Sequence, residues 1–369
     1  MVLSIDKSGK HLTVFYILVY IIYFKRLNIL GVYVRVGRSV MSAENASGLT
    51  GQQVVTEVQG TSLESPLDEL VEEYNEQIGI RGEYLWKWLE NIWPLATLDC
   101  VPEHHREVVS THKTILSMFI TVVDDLAGNI QDKRSFYEAC KVPFDHMEAR
   151  PEREGVKTEH IRFLQKVWET SEAMLADAER EAEFRPLLEY DFRLGLMSMD
   201  YEGLTNAYPE MLNVPEMMDY TPHNVMMLAG ADIDLMYSPS FDRADLASVR
   251  EVVYRSQQLC RISNCTSTWE RELMEGDLTS LVFTEALSRG LVSSEDLERL
   301  QRGDCPADAE RIAESIRDYG IEAGFLKQWD QIYADLLTDI SEADSVDLEA
   351  YVERVETIQH FQMASKGHK

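Results

Sequence analysis

Apolar residues recur at intervals of three and four along most of the chain after residue 66. Such spacing places apolar side chains on one face of an α-helix. It predicts helices over 67–78, 82–95, 103–128, 133–139, 158–182, 187–206, 222–236, 245–283, 294–302, 307–319, 326–340 and 347–363. Proline and glycine separate many of these segments, and no alternating run long enough for a sheet occurs after residue 66. The pattern predicts an all-α fold, built as a single large helical bundle.

The longest predicted helix, 245–283, carries three oxygen-bearing side chains at i, i+4 and i+8, namely Asn264, Thr268 and Glu272. At 3.6 residues per turn they lie within about 80° of arc, roughly 6 Å apart along the axis. Such a row is usually the solvated face of an amphipathic helix. Here its flanking positions are apolar: Leu259, Ile262, Cys265 and Trp269. An amide, a hydroxyl and a carboxylate in a row are oxygen ligands suited to Mg²⁺, and Arg271 is adjacent.

A pair of aspartates, Asp124 and Asp125, ends the predicted helix 103–128, whose preceding residues are apolar on nearly every face. Two carboxylates at the end of a buried helix are costly unless a positive charge neutralises them. A divalent metal ion would do so. Alternatively, the pair emerges into solvent near Gly128 and the charged residues 132–134. The pair is the only adjacent Asp-Asp in the sequence.

The first 40 residues differ from the rest, with six Lys or Arg and one acid. An apolar run over 12–24 is too short to cross a bilayer, which needs about 20 residues. We expect translation to begin at Met41 and residues 1–40 to lie outside the fold, with an interfacial anchor as the alternative. Residues 41–65 are polar and are expected to form a disordered leader. The remaining segment, 66–365, forms the predicted helical domain.

The formal net charge is −29, from 64 acidic and 35 basic residues. This charge argues against nucleic acid or an anionic membrane as a partner. The five cysteines are scattered, odd in number and free of CxxC or other metal-site spacing. They indicate a reducing compartment, so a cytoplasmic location is expected.

The two polar clusters together resemble the metal-binding motifs of class I terpene cyclases (terpene synthases) of the bacterial, archaeal and fungal type. That family has an aspartate-rich motif on one helix and an N-x-x-x-S/T-x-x-K/R-E motif on a facing helix. Here Asp124-Asp125 is followed 140 positions later by Asn264-x-x-x-Thr268-x-x-Arg271-Glu272. Gly276-Asp277 also follow the second motif, as is frequent in the family. The resemblance covers roughly 67–363.

The resemblance implies an isoprenoid synthase-like bundle around a central active-site cavity, and a lyase of isoprenoid biosynthesis. Its substrate would be a linear isoprenyl diphosphate, here farnesyl diphosphate, ionised with about three Mg²⁺ ions and then cyclised. The metal-binding and catalytic residues would be Asp124, Asp125, Asn264, Thr268 and Glu272. The diphosphate would contact Arg271, Arg261, His223 and Tyr351. Phe119 and Trp269 are expected to face the carbocation, with Trp86, Phe283, Trp329 and Tyr333 as further candidates; the alternative for each is core packing.

The chain departs from the family pattern at four places. The second position of the N-x-x-x-S/T motif is commonly Asp and is Cys265 here, although that residue is not generally a ligand. The first motif usually has an acid at its fifth position, where this chain has Gly128, so Asn129 or Asp132 would serve, or Asp124 alone. The diphosphate-sensing arginine of bacterial relatives is missing, and His223 or Arg193 would replace it. Instead of a terminal Arg-Tyr pair the chain has Tyr351 with Arg354 one turn on.

Two other functions remain open. A chain-elongating prenyltransferase would need a second Asp-rich motif, which the sequence lacks. A protein that binds an isoprenyl diphosphate without catalysis would be consistent with the departures above. The expected partner is the small-molecule substrate alone, without firm membrane association, and the protein is expected to be a monomer or a homodimer.

Overall fold

The computed structural model describes residues 33–36, 39–42, 49–128, 130–302, 306–340 and 342–368. Two short antiparallel strands, β1 (Tyr33–Val36) and β2 (Ser39–Ser42), pair with Tyr33 opposite Ser42. All other regular elements among the described residues are helices, which confirms the all-α prediction. The expected extension over residues 1–40 lies outside the described residues except for β1 and the start of β2. None of the described helices is long and apolar enough to cross a membrane.

The helices follow in chain order, and the longest described connection, residues 140–157, separates α5 from α6. They are α1 (Gly51–Gly60), α2 (Leu67–Gln77), α3 (Glu83–Ile92), α4 (Glu103–Ala127), α5 (Lys133–Ala139), α6 (Thr158–Leu175), α7 (Glu181–Ala207), α8 (Val214–Tyr220), α9 (Met227–Met236), α10 (Leu246–Glu275), α11 (Leu281–Ser288), α12 (Ser294–Arg302), α13 (Pro306–Tyr319), α14 (Ile321–Asp339) and α15 (Leu348–Ala364). Short 3₁₀ turns cover Pro209–Met211, Thr221–Val225 and Arg243–Asp245.

Helix α9 lies at the centre of the bundle. All ten of its residues are buried, and it contacts α4, α7 and α10. Helix α4 also packs against α3 and α6, and α10 packs against α14 and α15. One hydrophobic core joins these helices from Val54 in α1 to Phe361 in α15. The two helices that carry the predicted motifs, α4 and α10, are therefore both central elements.

Helix α1 corrects the prediction of a disordered leader over 41–65. Thr50 and Gln53 form a capping box that satisfies the first backbone N–H groups of the helix. Val54, Val55 and Val58 are buried where α1 packs against α3 and α15. Three valines with helical spacing thus provide enough apolar surface to anchor a segment that is otherwise polar.

Helix α10 ends earlier than predicted. The continuous helix expected over 245–283 breaks at Gly276, which adopts φ 79°, a left-handed conformation that favours glycine. Ser280 then caps the new helix α11 by accepting a hydrogen bond from the N–H of Val282. Conversely, the structure places Pro186 inside α7, although the sequence pattern had a helix begin only after it, at residue 187. The buried side chains of Phe184 and Leu188 anchor the helix in the core on either side of this proline. The break at Gly276 positions Asp277, which faces the cavity described next.

Candidate active site

A central cavity of about 240 Å³ is lined by residues of α3, α4, α7, α10 and α15 and by residues 224–227. Much of its wall is apolar: Leu85, Trp88, Leu89, Ile92, Trp93, Ala96, Ile120, Met199, Val225, Met226, Met227 and Ile358. The charged side chains that line it are Arg81, Asp124, Glu202, Arg261, Arg271, Glu272 and Asp277. An apolar cavity that includes a few converging charged groups is typical of a small-molecule site.

The two predicted motifs face the same cavity. Asp124 of α4 lines it together with Asn264, Thr268 and Glu272 of α10. The Thr268 hydroxyl donates to the backbone carbonyl of Asn264 over 2.7 Å, a local bond that fixes its rotamer. The structure thus brings the two sets of residues together, whereas their roles as metal ligands stay predictions.

The carboxylates come from the C-terminal parts of three helices, where the helix dipole is negative. Burial, together with the nearby carboxylates of Asp125 and Asp277, raises the pKa of Asp124 to about 7. Burial also raises the pKa of Glu272, with Asp277 as the next cause. Negative charge is therefore concentrated where a cation would relieve the repulsion.

Asp125 has a different environment from Asp124. It is buried, does not line the cavity, and accepts hydrogen bonds from Arg81 Nε at 3.1 Å and Nη2 at 2.5 Å. Arg81, which the sequence analysis did not identify, lines the cavity itself. Asp125 therefore holds an arginine at the cavity wall, and its expected role as a metal ligand stays a prediction.

Arg261 and Arg271, both predicted to contact diphosphate, line the cavity. Arg261 is buried and forms an ion pair with Glu202, while its Nε donates to the Thr221 hydroxyl over 3.0 Å. Arg271 pairs with Glu275 at 2.5 Å and lies 3.6 Å from Glu272. Both guanidinium groups are thus held in place by acids on their own or neighbouring helices.

Glu202 is a cavity residue that the sequence analysis missed. Burial is the main cause of its raised pKa, which the ion pair with Arg261 opposes and the charges of Asp124 and Asp277 reinforce. Asn224 also donates to Glu202, with the shorter bond at 2.8 Å. The signal in the sequence is Glu202-x-x-x-Asn206, an i, i+4 pair of polar residues within an otherwise well-packed helix.

Asp277 lies where the ends of α4 and α10 meet. Its Oδ1 accepts hydrogen bonds from the Thr279 N–H at 3.0 Å, the Thr279 hydroxyl at 2.7 Å and Asn206 at 3.2 Å. A Cβ placed on Gly128 would lie 3.8 Å from the other oxygen, Oδ2. Asp277 therefore approaches the position that lacks an acid in the first motif.

The candidates expected to replace that acid are located elsewhere. Asp132 caps α5, where its carboxylate accepts from the N–H and the hydroxyl of Ser135. Asn129 lies outside the described residues. The Asp132 carboxylate thus caps helix α5 and does not line the cavity.

The other expected diphosphate contacts also lie away from the cavity lining. His223 packs its ring against Tyr254, with centroids 5.5 Å apart, and Tyr351 is buried in the core. Arg193 pairs with Glu189 on the exposed side of α7, and Arg354 donates to the backbone carbonyls of Leu95 and Thr97. The structure therefore does not bring His223 and Tyr351 to the cavity lining, and their contact with diphosphate stays a prediction.

The expected cavity aromatics are core residues. Phe119 packs against Trp168 and Phe192, with centroids 5.7 and 6.2 Å away. Trp269 is buried and donates from its indole nitrogen to Glu322 over 2.9 Å. The further candidates Trp86, Phe283, Trp329 and Tyr333 do not line the cavity either. Two other aromatic residues of the α3 region do so instead, Trp88 and Trp93.

The donor set fits a magnesium ion in its chemistry. Asp124, Asn264, Thr268 and Glu272 offer the oxygen ligands that Mg²⁺ prefers, in a region of excess negative charge. Across the part of the chain that the structure describes, no cluster of three or more His, Cys, Asp or Glu is arranged to hold a metal ion. Two of the four donors are an amide and a hydroxyl, so the protein alone provides an incomplete ligand set, as is usual for Mg²⁺ held jointly with phosphate oxygens.

Several solved structures are similar to the chain. A cucumene synthase variant shares 13% identity at a TM-score of 0.48, covering 80% of this chain and 91% of that one. Aristolochene synthase from Penicillium roqueforti shares 12% sequence identity at a TM-score of 0.43, and the match covers 84% of this chain and 93% of that one. A third structure is a geranylgeranyl pyrophosphate synthase from Corynebacterium glutamicum, complexed with isoprenyl diphosphate and magnesium. It shares 15% sequence identity at a TM-score of 0.48, and the match covers 86% of this chain and 96% of that one. No protein-family model and no curated protein sequence matches the chain. At these scores the similarities do not distinguish one activity from another.

Proposed function

We propose that the chain is a magnesium-dependent terpene cyclase that ionises farnesyl diphosphate, cyclises the resulting carbocation and releases diphosphate. The observation that carries this proposal is that Asp124 of α4 and the Asn264, Thr268 and Glu272 row of α10 line one cavity with a mainly apolar wall. A solvated helix face would have pointed the row outward instead.

In this proposal Asp124, Asn264, Thr268 and Glu272 hold Mg²⁺ at the charged part of the cavity. When bound, the ions would neutralise the diphosphate and so lower the barrier to breaking the carbon–oxygen bond. Arg261 and Arg271 would donate to the phosphate oxygens. Because Glu202 and Glu275 already orient these arginines, little side-chain freedom is lost when the substrate binds.

The apolar wall has two functions in this reaction. Leu85, Leu89, Ile92 and Met199 keep water away from the carbocation, which water would otherwise quench. The rings of Trp88 and Trp93 stabilise positive charge through their quadrupoles, each contributing on the order of 0.5–2 kcal/mol. The cavity volume of about 240 Å³ is small for a ligand site.

A chain-elongating prenyltransferase is the second candidate within enzymes. It would need a second aspartate-rich motif facing Asp124, whereas α10 offers an amide, a hydroxyl and one glutamate. A non-catalytic binding protein is the third candidate. The buried acids with raised pKa values favour catalysis over simple binding, because such groups cluster at active sites.

Incubation of the full chain with Mg²⁺ and each isoprenyl diphosphate, followed by gas chromatography of the extract, separates these functions. We expect a cyclic hydrocarbon or alcohol from farnesyl diphosphate. A longer diphosphate, formed when isopentenyl diphosphate is added, would support the transferase, and recovered substrate would support the binding protein.

Variants of the row test the site itself. Glu272→Gln and Asn264→Leu should abolish turnover while circular dichroism remains native. The matched control is Glu270→Gln, because Glu270 lies on the same helix but pairs with Arg317 on the outside. Retained activity in both Glu272→Gln and Asn264→Leu would exclude the row as a metal site.

A further inference from the structure

Asp277 links the two walls of the cavity. It lines the cavity with Asp124 on one side and Glu272 on the other, and its negative charge acts on both carboxyl groups and on Glu202. Asp277 is therefore placed where α4, α7 and α10 converge.

The orientation of Asp277 is set by its neighbours. Three hydrogen bonds, from the backbone N–H and hydroxyl of Thr279 and from Asn206, all reach Oδ1. The other oxygen, Oδ2, faces Gly128 at the end of α4, since a Cβ on that glycine would lie 3.8 Å from it. Gly128 has a right-handed backbone, with φ −89° and ψ −74°, that any residue can adopt. The backbone therefore does not require glycine here, and a side chain at position 128 would start at van der Waals distance from the carboxylate of Asp277.

We infer that Asp277 is a metal-binding carboxylate of the proposed site, reaching from the end of α10 to act together with Asp124 of α4. This inference rests on the proposed function. It assigns to one residue two roles: the Oδ1 bonds brace the turn after α10, and Oδ2 contacts the divalent cation.

Substitution of Asp277 by Asn separates these two roles. The amide oxygen of Asn can accept the same bonds from Thr279, while the negative charge is lost. The measurement is the affinity for Mg²⁺ by isothermal titration calorimetry, with inorganic diphosphate present. We expect a loss of at least about tenfold, since even residues that only support metal ligands cost 10–100-fold. Asp242→Asn is the matched control, because exposed Asp242 accepts a similar local bond from the Ala244 N–H and does not line the cavity.

A double variant tests the position of the charge. Gly128→Asp combined with Asp277→Asn returns a carboxylate to the same space from the opposite helix, and we expect most of the Mg²⁺ affinity to return. Gly128→Asn combined with Asp277→Asn restores the volume without the charge, and should remain weak. Recovery in both double variants, or in neither, would overturn the inference.

A further variant adds charge and leaves Asp277 unchanged. Gly128→Lys places an ammonium beside Oδ2, so it should compete with Mg²⁺ and weaken its binding while the melting temperature without metal is maintained. Melting temperatures and circular dichroism without metal show whether each variant folds.

The outcomes distinguish the inference from the proposed function. If the unmodified chain binds Mg²⁺ with diphosphate and Asp277→Asn binds within about twofold of it, the inference fails and the proposed function stands. If the unmodified chain shows no such binding, both fail.

Discussion

Lys113 and Asp124 are ionisable side chains of the same helix, α4, and their surroundings differ. Lys113 and Asp234 form an ion pair with a separation of 2.5 Å, and both side chains are fully buried. The two remaining N–H donors of Lys113 reach the Ala96 carbonyl and the Thr97 hydroxyl, each at 3.2 Å, and Asp234 also accepts from the Leu98 N–H at 2.9 Å. Here each charge has an opposite charge beside it.

Asp124, eleven residues further along α4, has the opposite balance. Around it and its arginine neighbours, the carboxylates outnumber the guanidinium groups. The carboxylates are those of Asp125, Glu202, Glu272, Glu275 and Asp277, and the guanidinium groups are those of Arg81, Arg261 and Arg271. The comparison teaches that burial alone does not mark a functional charge. A neutralised buried pair supports the fold, whereas an unbalanced cluster that lines a cavity is able to bind a cation.

The largest expected effect concerns the balanced pair. Lys113→Met should lower the free energy of unfolding by about 3–5 kcal/mol, because Asp234 is left as a buried charge without its partner. Denaturant unfolding followed by circular dichroism measures this loss. Lys113→Met combined with Asp234→Asn should recover most of it, since Asn keeps an oxygen for the Leu98 N–H. A loss below about 1 kcal/mol in the single variant would contradict the description of the pair as mutually dependent.

The unbalanced cluster should respond in the opposite sense. Asp124→Asn should reduce cyclase turnover by more than about a hundredfold, because it removes a proposed metal ligand. Its free energy of unfolding should stay equal or rise, because repulsion from Asp125 and Asp277 is relieved. Product formation and denaturant unfolding are the two measurements. Asp132→Asn serves as control, since Asn caps α5 equally well outside the cavity. A destabilised but active Asp124→Asn would make Asp124 a structural residue.

The same contrast explains what the sequence could predict. Helical periodicity located most helices, because apolar spacing depends on local geometry. The convergence of Asp124 with Asn264 and Glu272 was expected only from the resemblance of the two motifs to those of class I terpene cyclases, since their apolar neighbours alone did not place them together. Which aromatic rings line the cavity was not predictable, since Trp269 and Trp88 both have helical spacing and only tertiary packing decides which faces inward.

Ion pairs between residues that are distant in the sequence could not be predicted either. Arg81 with Asp125 and Arg261 with Glu202 are separated by 44 and 59 positions, and neither pair has a local signal. The approach of Asp277 to Gly128 depends on where α10 breaks, and the periodicity continued past that break. The site is thus predictable where chemistry follows helix geometry, and unpredictable where it follows the contacts between helix ends.

Trp93 contacts both the buried Lys113 and the cavity, and its substitution should have a smaller effect on turnover. It lines the cavity, its indole nitrogen donates to the Ser117 hydroxyl over 2.9 Å, and the Lys113 ammonium lies 5.5 Å from its ring centroid. Trp93→Phe should lower turnover by up to about tenfold, since one aromatic ring contributes on the order of 0.5–2 kcal/mol to a cation. Trp269→Phe should instead reduce stability and leave the turnover of folded protein unchanged. Equal effects on turnover in the two variants would contradict the distinction between cavity and core rings.

The smallest expected effect is on the pH dependence of stability. It tests directly whether the carboxylates around Asp124 repel one another. Burial and the neighbouring carboxylates hold the pKa of Asp124 at about 7, above its ordinary value of 3.8. Between these two pH values the folded protein keeps a proton that the unfolded chain has lost, so this group stabilises the metal-free protein at low pH, and its contribution falls as pH rises towards 7. We therefore expect the melting temperature of Asp124→Asn, relative to that of the unmodified chain, to increase by a few degrees from about pH 5 to about pH 8. Mg²⁺ with inorganic diphosphate should remove this difference by stabilising the unmodified chain most at the higher pH, because the bound cation replaces the proton. A difference between the two proteins that stays constant with pH would show that Asp124 titrates normally and that the surrounding carboxylates do not act on it.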